Sequence, residues 1–110
     1  MARFVKGDVV VVPFPFSDLS QAKRRPALVI SVLEGDDLIL CQITSQKVKD
    51  RYAITITEDD FESGSLRQIS NVRPNRLFSA DQHIILYKIG SLKPEKMAEV
   101  IEQVIKIIRE

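Results

Sequence analysis

The 110-residue chain has no tryptophan, one cysteine and one histidine, and its formal net charge is only +1. A lone thiol, Cys41, excludes an intrachain disulfide. One histidine excludes a pair of imidazoles working as acid and base. With a single Cys and a single His, no cluster has the spacing of a metal site, so no zinc and no cofactor are expected. Cys41 lies inside an apolar run and reads as a small buried residue rather than a nucleophile. His83 reads as a surface or turn residue that would titrate near neutrality if exposed. No segment approaches the roughly 20 apolar residues of a membrane span, and no apolar leader opens the chain. A soluble, cytoplasmic protein is therefore expected. The length suits a single domain spanning residues 1–110. A domain of this size has a thin stability margin, which oligomerisation commonly supplements.

The positive charge that is present is local. Lys23, Arg24 and Arg25 are consecutive, and Lys47, Lys49 and Arg51 follow a second apolar segment. Acidic residues gather elsewhere, at Glu34, Asp36 and Asp37 and at Glu58, Asp59, Asp60 and Glu62. Such separation can give a nearly neutral protein one positive face, although solvated loop charges are the simpler meaning.

β-Branched and apolar runs dominate the first half. Asp8–Val12 reads as a strand. Two prolines then predict a loop from Pro13 to about Lys23. Pro26–Leu33 and Leu38–Thr44 form a predicted hairpin around Glu34-Gly35-Asp36-Asp37. A turn centred there sets residue 27 opposite residue 44. Ala53–Thr57 alternates as a half-buried strand does. Glu58–Gly64 reads as a loop and Ser65–Val72 as a strand. Arg76–Ser79 and Ile84–Ile89 read as short extended pieces, or one as a helical turn. From Pro94 onward, Met97, Val100, Ile101, Val104, Ile105, Ile107 and Ile108 recur at helical steps. Pro94 suits a first helical turn. The stripe is most simply core, with a share available to a partner. The sum is a mainly β protein of α+β type: a small closed or half-closed barrel carrying one terminal helix.

Two places carry candidate chemistry. Arg25 precedes the proline that opens a strand, and a residue before proline is held extended. Thr44 ends the neighbouring strand. A guanidinium and a hydroxyl side by side could hold one phosphate, since the planar fork of arginine matches phosphate oxygens. The plainer readings are a surface charge and a hydroxyl capping a turn. Ser45, Gln46 and Gln68 have the groups to read base edges. Phe14, Phe16 and Tyr52 either stack on bases or pack the barrel. Arg73 is a phosphate contact or a member of a structural ion pair.

The ordered series Gly7-Asp8-Val9-Val10, Pro13-Phe14-Pro15-Phe16-Ser17-Asp18, Arg25-Pro26-Ala27-Leu28-Val29, Ile43-Thr44-Ser45-Gln46, Asp60-Phe61 with Gly64-Ser65-Leu66, Ser70-Asn71-Val72-Arg73-Pro74 and Ile89-Gly90-Ser91-Leu92 resembles the MazF/PemK family of toxins. The resemblance spans nearly the whole chain. It implies an SH3-like barrel of the CcdB/MazF/PemK type, a homodimer, and a metal-independent endoribonuclease acting on single-stranded RNA. It implies catalytic roles for Arg25 and Thr44, with RNA contacts at Phe16, Asp18, Lys23, Arg24, Ser45, Gln46, Gln68 and Arg73. Products would carry a cyclic phosphate and a free 5′-hydroxyl. A cognate antitoxin with an acidic, disordered tail would cover the cleft, and DNA would be met only through that antitoxin. One departure stands out. Many members place Gly-Ser-Glu-Gln before the Arg-Pro; here Leu19–Arg24 has no Glu, and Asp18 is the carboxylate that could orient Arg25. A CcdB-like gyrase poison and an inactive RNA-binding module are the competing functions.

Overall fold

A computed structural model describes residues 4–15 and 22–110. Seven strands form one antiparallel sheet: β1 Asp8–Pro15, β2 Ala22–Val32, β3 Asp37–Thr44, β4 Ile54–Ile56, β5 Phe61–Gly64, β6 Ser70–Asp81 and β7 Tyr87–Leu92. Helix α1, Pro94–Arg109, follows. The strand order is β4-β6-β3-β2-β1-β7-β5. The short β4 and β5 therefore lie on opposite edges, yet Ile56 and Phe61 are five residues apart in sequence. Five residues span at most about 18 Å, whereas six strand spacings laid flat would span roughly 29 Å. The sheet must curl, and the expected half-barrel is the result.

Both faces of the central strands are buried, which is why their sequences are continuous apolar runs rather than alternations. Val9, Leu28, Ile30, Cys41, Ile43, Val72 and Phe61 meet Met97 and Val100 of α1 inside the curl. Val10, Val12, Ala27, Val29, Leu38 and Leu40 form a second cluster on the other face, backed by Phe4, Phe14, Phe78 and Ile85. Pro94 occupies the first turn of α1, and Met97, Val100 and Val104 supply its buried side. Ile105 and Ile108 of the predicted stripe remain exposed.

Several expectations are corrected. The loop predicted from Pro13 to Lys23 is corrected at both ends, because β1 runs on through Pro15 and pairs Phe14 with Lys23; its middle, 16–21, lies outside the described residues. Two prolines are tolerated there for a geometric reason. The Val11 carbonyl accepts from Leu86 N, so odd-numbered residues of β1 turn their backbone groups away from β2. Beyond Val11 no strand among the described residues pairs on that side, and there the missing donors of Pro13 and Pro15 cost no ladder bond. Residues 58–64 are not a loop but a 3-10 turn, Glu58–Asp60, followed by β5. The strand predicted at Ser65 begins only at Ser70. Gly64 and Arg67 both have positive φ, and that left-handed turn cannot be extended chain. The separate pieces at Val72 and Arg76–Ser79 are one long strand, β6. Gln82–Ile84 is the helical turn, and β7 starts at Tyr87.

Candidate active site

Residue 27 pairs with Gln42, not with residue 44: the turn sets Val32 opposite Leu38, a register that would bring 27 to 43, and the slip between Val29 and Ser31 moves it one residue further. The same register carried two residues further sets Arg25 opposite Thr44. The recorded ladder stops at Ala27. Pro26 follows from the same alternation as the residue whose backbone nitrogen faces β3, and it has no hydrogen to donate. The two strands thus part just where Arg25 and Thr44 leave them. Alternation also sets Arg25, Gln42 and Thr44 on the face of the second cluster, continuous with Phe14.

The far wall comes from β6. Arg73 pairs with Gln42 and Leu77 pairs with Cys41, so Pro74, Asn75 and Arg76 bulge out of the ladder between them. Proline cannot donate within a central strand, and a bulge is how a sheet accommodates it. The bulge brings Arg73 and Arg76 to the opening. The outcome is a groove of about 370 Å³ lined by Phe14, Arg25, Gln42, Ile43, Thr44, Gln46, Arg73 and Arg76.

Three arginines and one hydroxyl-bearing side chain, Thr44, line it, and no Asp, Glu or His is among the described lining residues. The Thr44 hydroxyl oxygen accepts the Gln46 N–H at 3.1 Å, so it also shapes the turn. Arg73 donates to Asp50 at 2.9 Å, and its Nε is buried without a hydrogen-bond partner. Partial burial pushes the Asp50 carboxyl up, but the Arg73 guanidinium and the Tyr52 N–H outweigh it and hold the group below the ordinary carboxylate range. Phe14 packs edge-on against Phe78, with ring centres 5.2 Å apart, while its rim lines the groove. Two other grooves offer less. One of about 480 Å³ beside α1 carries Asp8 and Glu62 over an apolar floor, and one of about 340 Å³ lies at the end of α1.

A model of the PemK-like, MazF-like toxins of type II toxin–antitoxin systems matches residues 5–108. The chain belongs to this family. The toxin's fold is similar to that of MazF from Deinococcus radiodurans, at 20% identity over 100% of both chains and a TM-score of 0.77. It is similar to MazF in the MazE–MazF complex of the same organism, at 20% identity, 98% and 97% coverage and a TM-score of 0.78. An endoribonuclease bound to its cognate antitoxin from a mycobacterial species aligns at 12% identity, 96% and 95% coverage and a TM-score of 0.75. No curated protein sequence matches the toxin.

The fold brings Arg25, Thr44, Gln46 and Arg73 of the predicted residues into one groove. Lys23 and Arg24 are exposed on β2; alternation sets Lys23 on the face of Arg25 and Arg24 on the opposite one. Ser45 and Gln68 are exposed and do not line the groove. Phe16 and Asp18 lie outside the described residues. Gln42 and Arg76 were missed from sequence. The signal for Gln42 was its even spacing from Thr44. The signal for Arg76 was Pro74, which breaks the ladder beside it. His83 stands far off, where it pairs with Asp81 at 2.6 Å next to Asp36. Asp81 pairs with Asp37, seven residues along β3 from Thr44, roughly 24 Å at about 3.4 Å per residue. No helix among the described residues is long and apolar enough to cross a membrane.

Proposed function

We propose that this toxin is an endoribonuclease that cuts single-stranded RNA at the Arg25–Thr44 groove, and that a cognate antitoxin silences it by covering that groove. The observation that carries the proposal is that three arginines and Thr44 line one open groove. In RNA cleavage by internal attack, the 2′-oxygen forms a bond to the adjacent phosphorus and the bond to the 5′-oxygen breaks. The products are a 2′,3′-cyclic phosphate and a 5′-hydroxyl. Negative charge grows on the phosphoryl oxygens along the way, and fixed donors aimed at them lower the barrier. Arg25 is the principal donor, with Arg76 and Arg73 across the groove. Thr44 positions the phosphate. Phe14, presented at the mouth, is a platform for a base. Gln42 and Gln46 have the amide groups to read one. Lys23, on the same face of β2 as Arg25, extends the contact outward, while RNA contacts at Arg24, Ser45, Gln68, Phe16 and Asp18 rest on the family resemblance alone. The reaction needs no metal, and the toxin acts as a homodimer in the cytoplasm.

Incubation of the purified toxin with long single-stranded RNA in EDTA, beside Arg25→Ala, tests this. Discrete cuts with cyclic-phosphate ends, lost in the variant, are expected. Intact RNA across varied sequences would turn attention to a protein target.

A further inference from the structure

We propose that Asp50 is an internal stand-in for a phosphate: it holds one edge of the Arg73 guanidinium, positions the other edge in the groove, and limits how many RNA phosphates the toxin grips. The proposal rests on the RNA reading of the groove and extends it to a residue outside the groove lining. Asp50 and Arg73 meet at 2.9 Å with side chains 27% and 20% exposed, unlike the solvent-facing pair Arg51–Glu110, which is 73% and 44% exposed. The other oxygen of Asp50 accepts the Tyr52 N–H at 3.0 Å, so the carboxylate itself is anchored. Arg73 is presented from the Pro74 bulge directly across from Gln42. Its Nη2 is committed to Asp50, its Nε is buried without a hydrogen-bond partner, and the residue as a whole lines the groove.

A guanidinium has five N–H donors in a planar fork, and a carboxylate and a phosphate compete for the same edges. With Asp50 in place, Arg73 is a directed donor whose charge is largely compensated. Without it, Arg73 becomes a mobile, uncompensated cation. Binding to RNA then gains a phosphate contact, and orientation in the transition state is lost. Removing Asp50 should tighten RNA binding while slowing cleavage, a split that a merely structural ion pair would not produce.

The test uses the full chain and two probes. Binding is followed with a mixed-sequence single-stranded RNA carrying 2′-O-methyl groups throughout, which removes the attacking hydroxyl. Cleavage is followed on long unmodified RNA. For Asp50→Asn the expected results are a KM and a dissociation constant about threefold lower at low salt. The slope of log K against log salt should steepen by about 0.7, the increment of one added phosphate on a single strand. kcat should fall about tenfold or more. Asp50→Glu keeps the charge and should keep the wild-type slope. It also keeps the proposal testable if Asp50→Asn fails to fold, because a steepened slope in Asp50→Glu would overturn it. In an Arg73→Gln background, Asp50→Asn should change neither slope nor kcat. Unchanged slope and kcat in Asp50→Asn, or equal effects with and without Arg73, overturn the inference while leaving the nuclease intact. A wild type that neither binds nor cuts RNA, and is indistinguishable from Arg25→Ala, overturns both.

Discussion

Thr44 illustrates how much one side chain is asked to do. Its hydroxyl oxygen holds the turn through Gln46 N–H and lies in the arginine-lined groove. Thr44→Val keeps the shape and removes the oxygen. A lost exposed hydrogen bond costs about 1 kcal/mol of stability, whereas a lost transition-state contact costs about 10²-fold in rate. The expected outcome is a small fall in melting temperature and a fall of about 10² in RNA cleavage, with Thr44→Ser largely active. Equal cleavage by Thr44→Val would remove Thr44 from the chemistry. Cys41 gives the opposite case, a reactive residue type made inert. Burial pushes its thiol up to about 12, against an opposing backbone hydrogen bond with Arg73. Native protein should therefore resist alkylation at pH 8 and react only on unfolding. The linkage has a definite sign. The folded value lies above the ordinary thiol value of 9.0, so this contribution is fully present below pH 9 and is lost as pH rises toward 12. The loss is on the order of 4 kcal/mol at the upper end. Denaturant midpoints that stay flat from pH 9 to 11, compared with Cys41→Ala, would contradict it.

Among the elements, the contact of β5 with β7 is the least forgiving. A Cβ on Gly90 would meet the Ser63 carbonyl oxygen at 2.2 Å, and one on Gly64 would meet the Ile89 carbonyl oxygen at 2.1 Å. Both obstacles are backbone, so neither can swing aside. Gly90→Ala should destabilise by about 2–3 kcal/mol, since overpacking forces the strands apart. Calorimetry should show a drop of about 10 °C, given a few degrees per kcal/mol at this size. A drop of under 2 °C would mean that β5 is not held as described. Helix α1 is governed by its buried side rather than by its caps. Lys93 supplies no side-chain cap, while Val100 is fully buried. Val100→Ala should cost about 2 kcal/mol through lost burial and a cavity. Ile108→Ala, at an exposed site, should cost little in the monomer; a larger loss that depends on protein concentration would assign that residue to the interface between copies.

For the molecule as a whole, a net charge of +1 means that RNA is not gathered by a broad positive field. On the proposed reading, binding rests on the arginines that line one groove, and Arg73 among them is paired with Asp50. Each phosphate neutralised on a single strand contributes about 0.7 to the slope of log K against log salt. Two or three contacts give a wild-type slope of roughly −2. Anisotropy titrations between about 50 and 200 mM salt would measure it, and a slope beyond about −4 would imply a larger basic surface.

The helix, the central hairpin and the mainly β class were legible because their signals are local. A 3.6-residue apolar period, a Gly-Asp turn between apolar runs and a proline at a strand start need no knowledge of distant residues. That Arg25 and Thr44 end neighbouring runs was legible for the same reason, and both line one groove, whereas their catalytic roles came from the family resemblance and stand as the proposal. What stayed hidden depends on pairing between segments far apart in the chain. β5 exists because Phe61 is buried beside Leu92, and β1 absorbs two prolines because no strand among the described residues pairs on that side beyond Val11. Arg76 reaches the groove only through a bulge in β6 opposite Gln42. Register and curl are decided by non-local hydrogen bonds and by the short link between opposite edges of the sheet. The sequence by itself therefore determined which runs become strands and helix, and the tertiary structure decided which of their side chains share one groove.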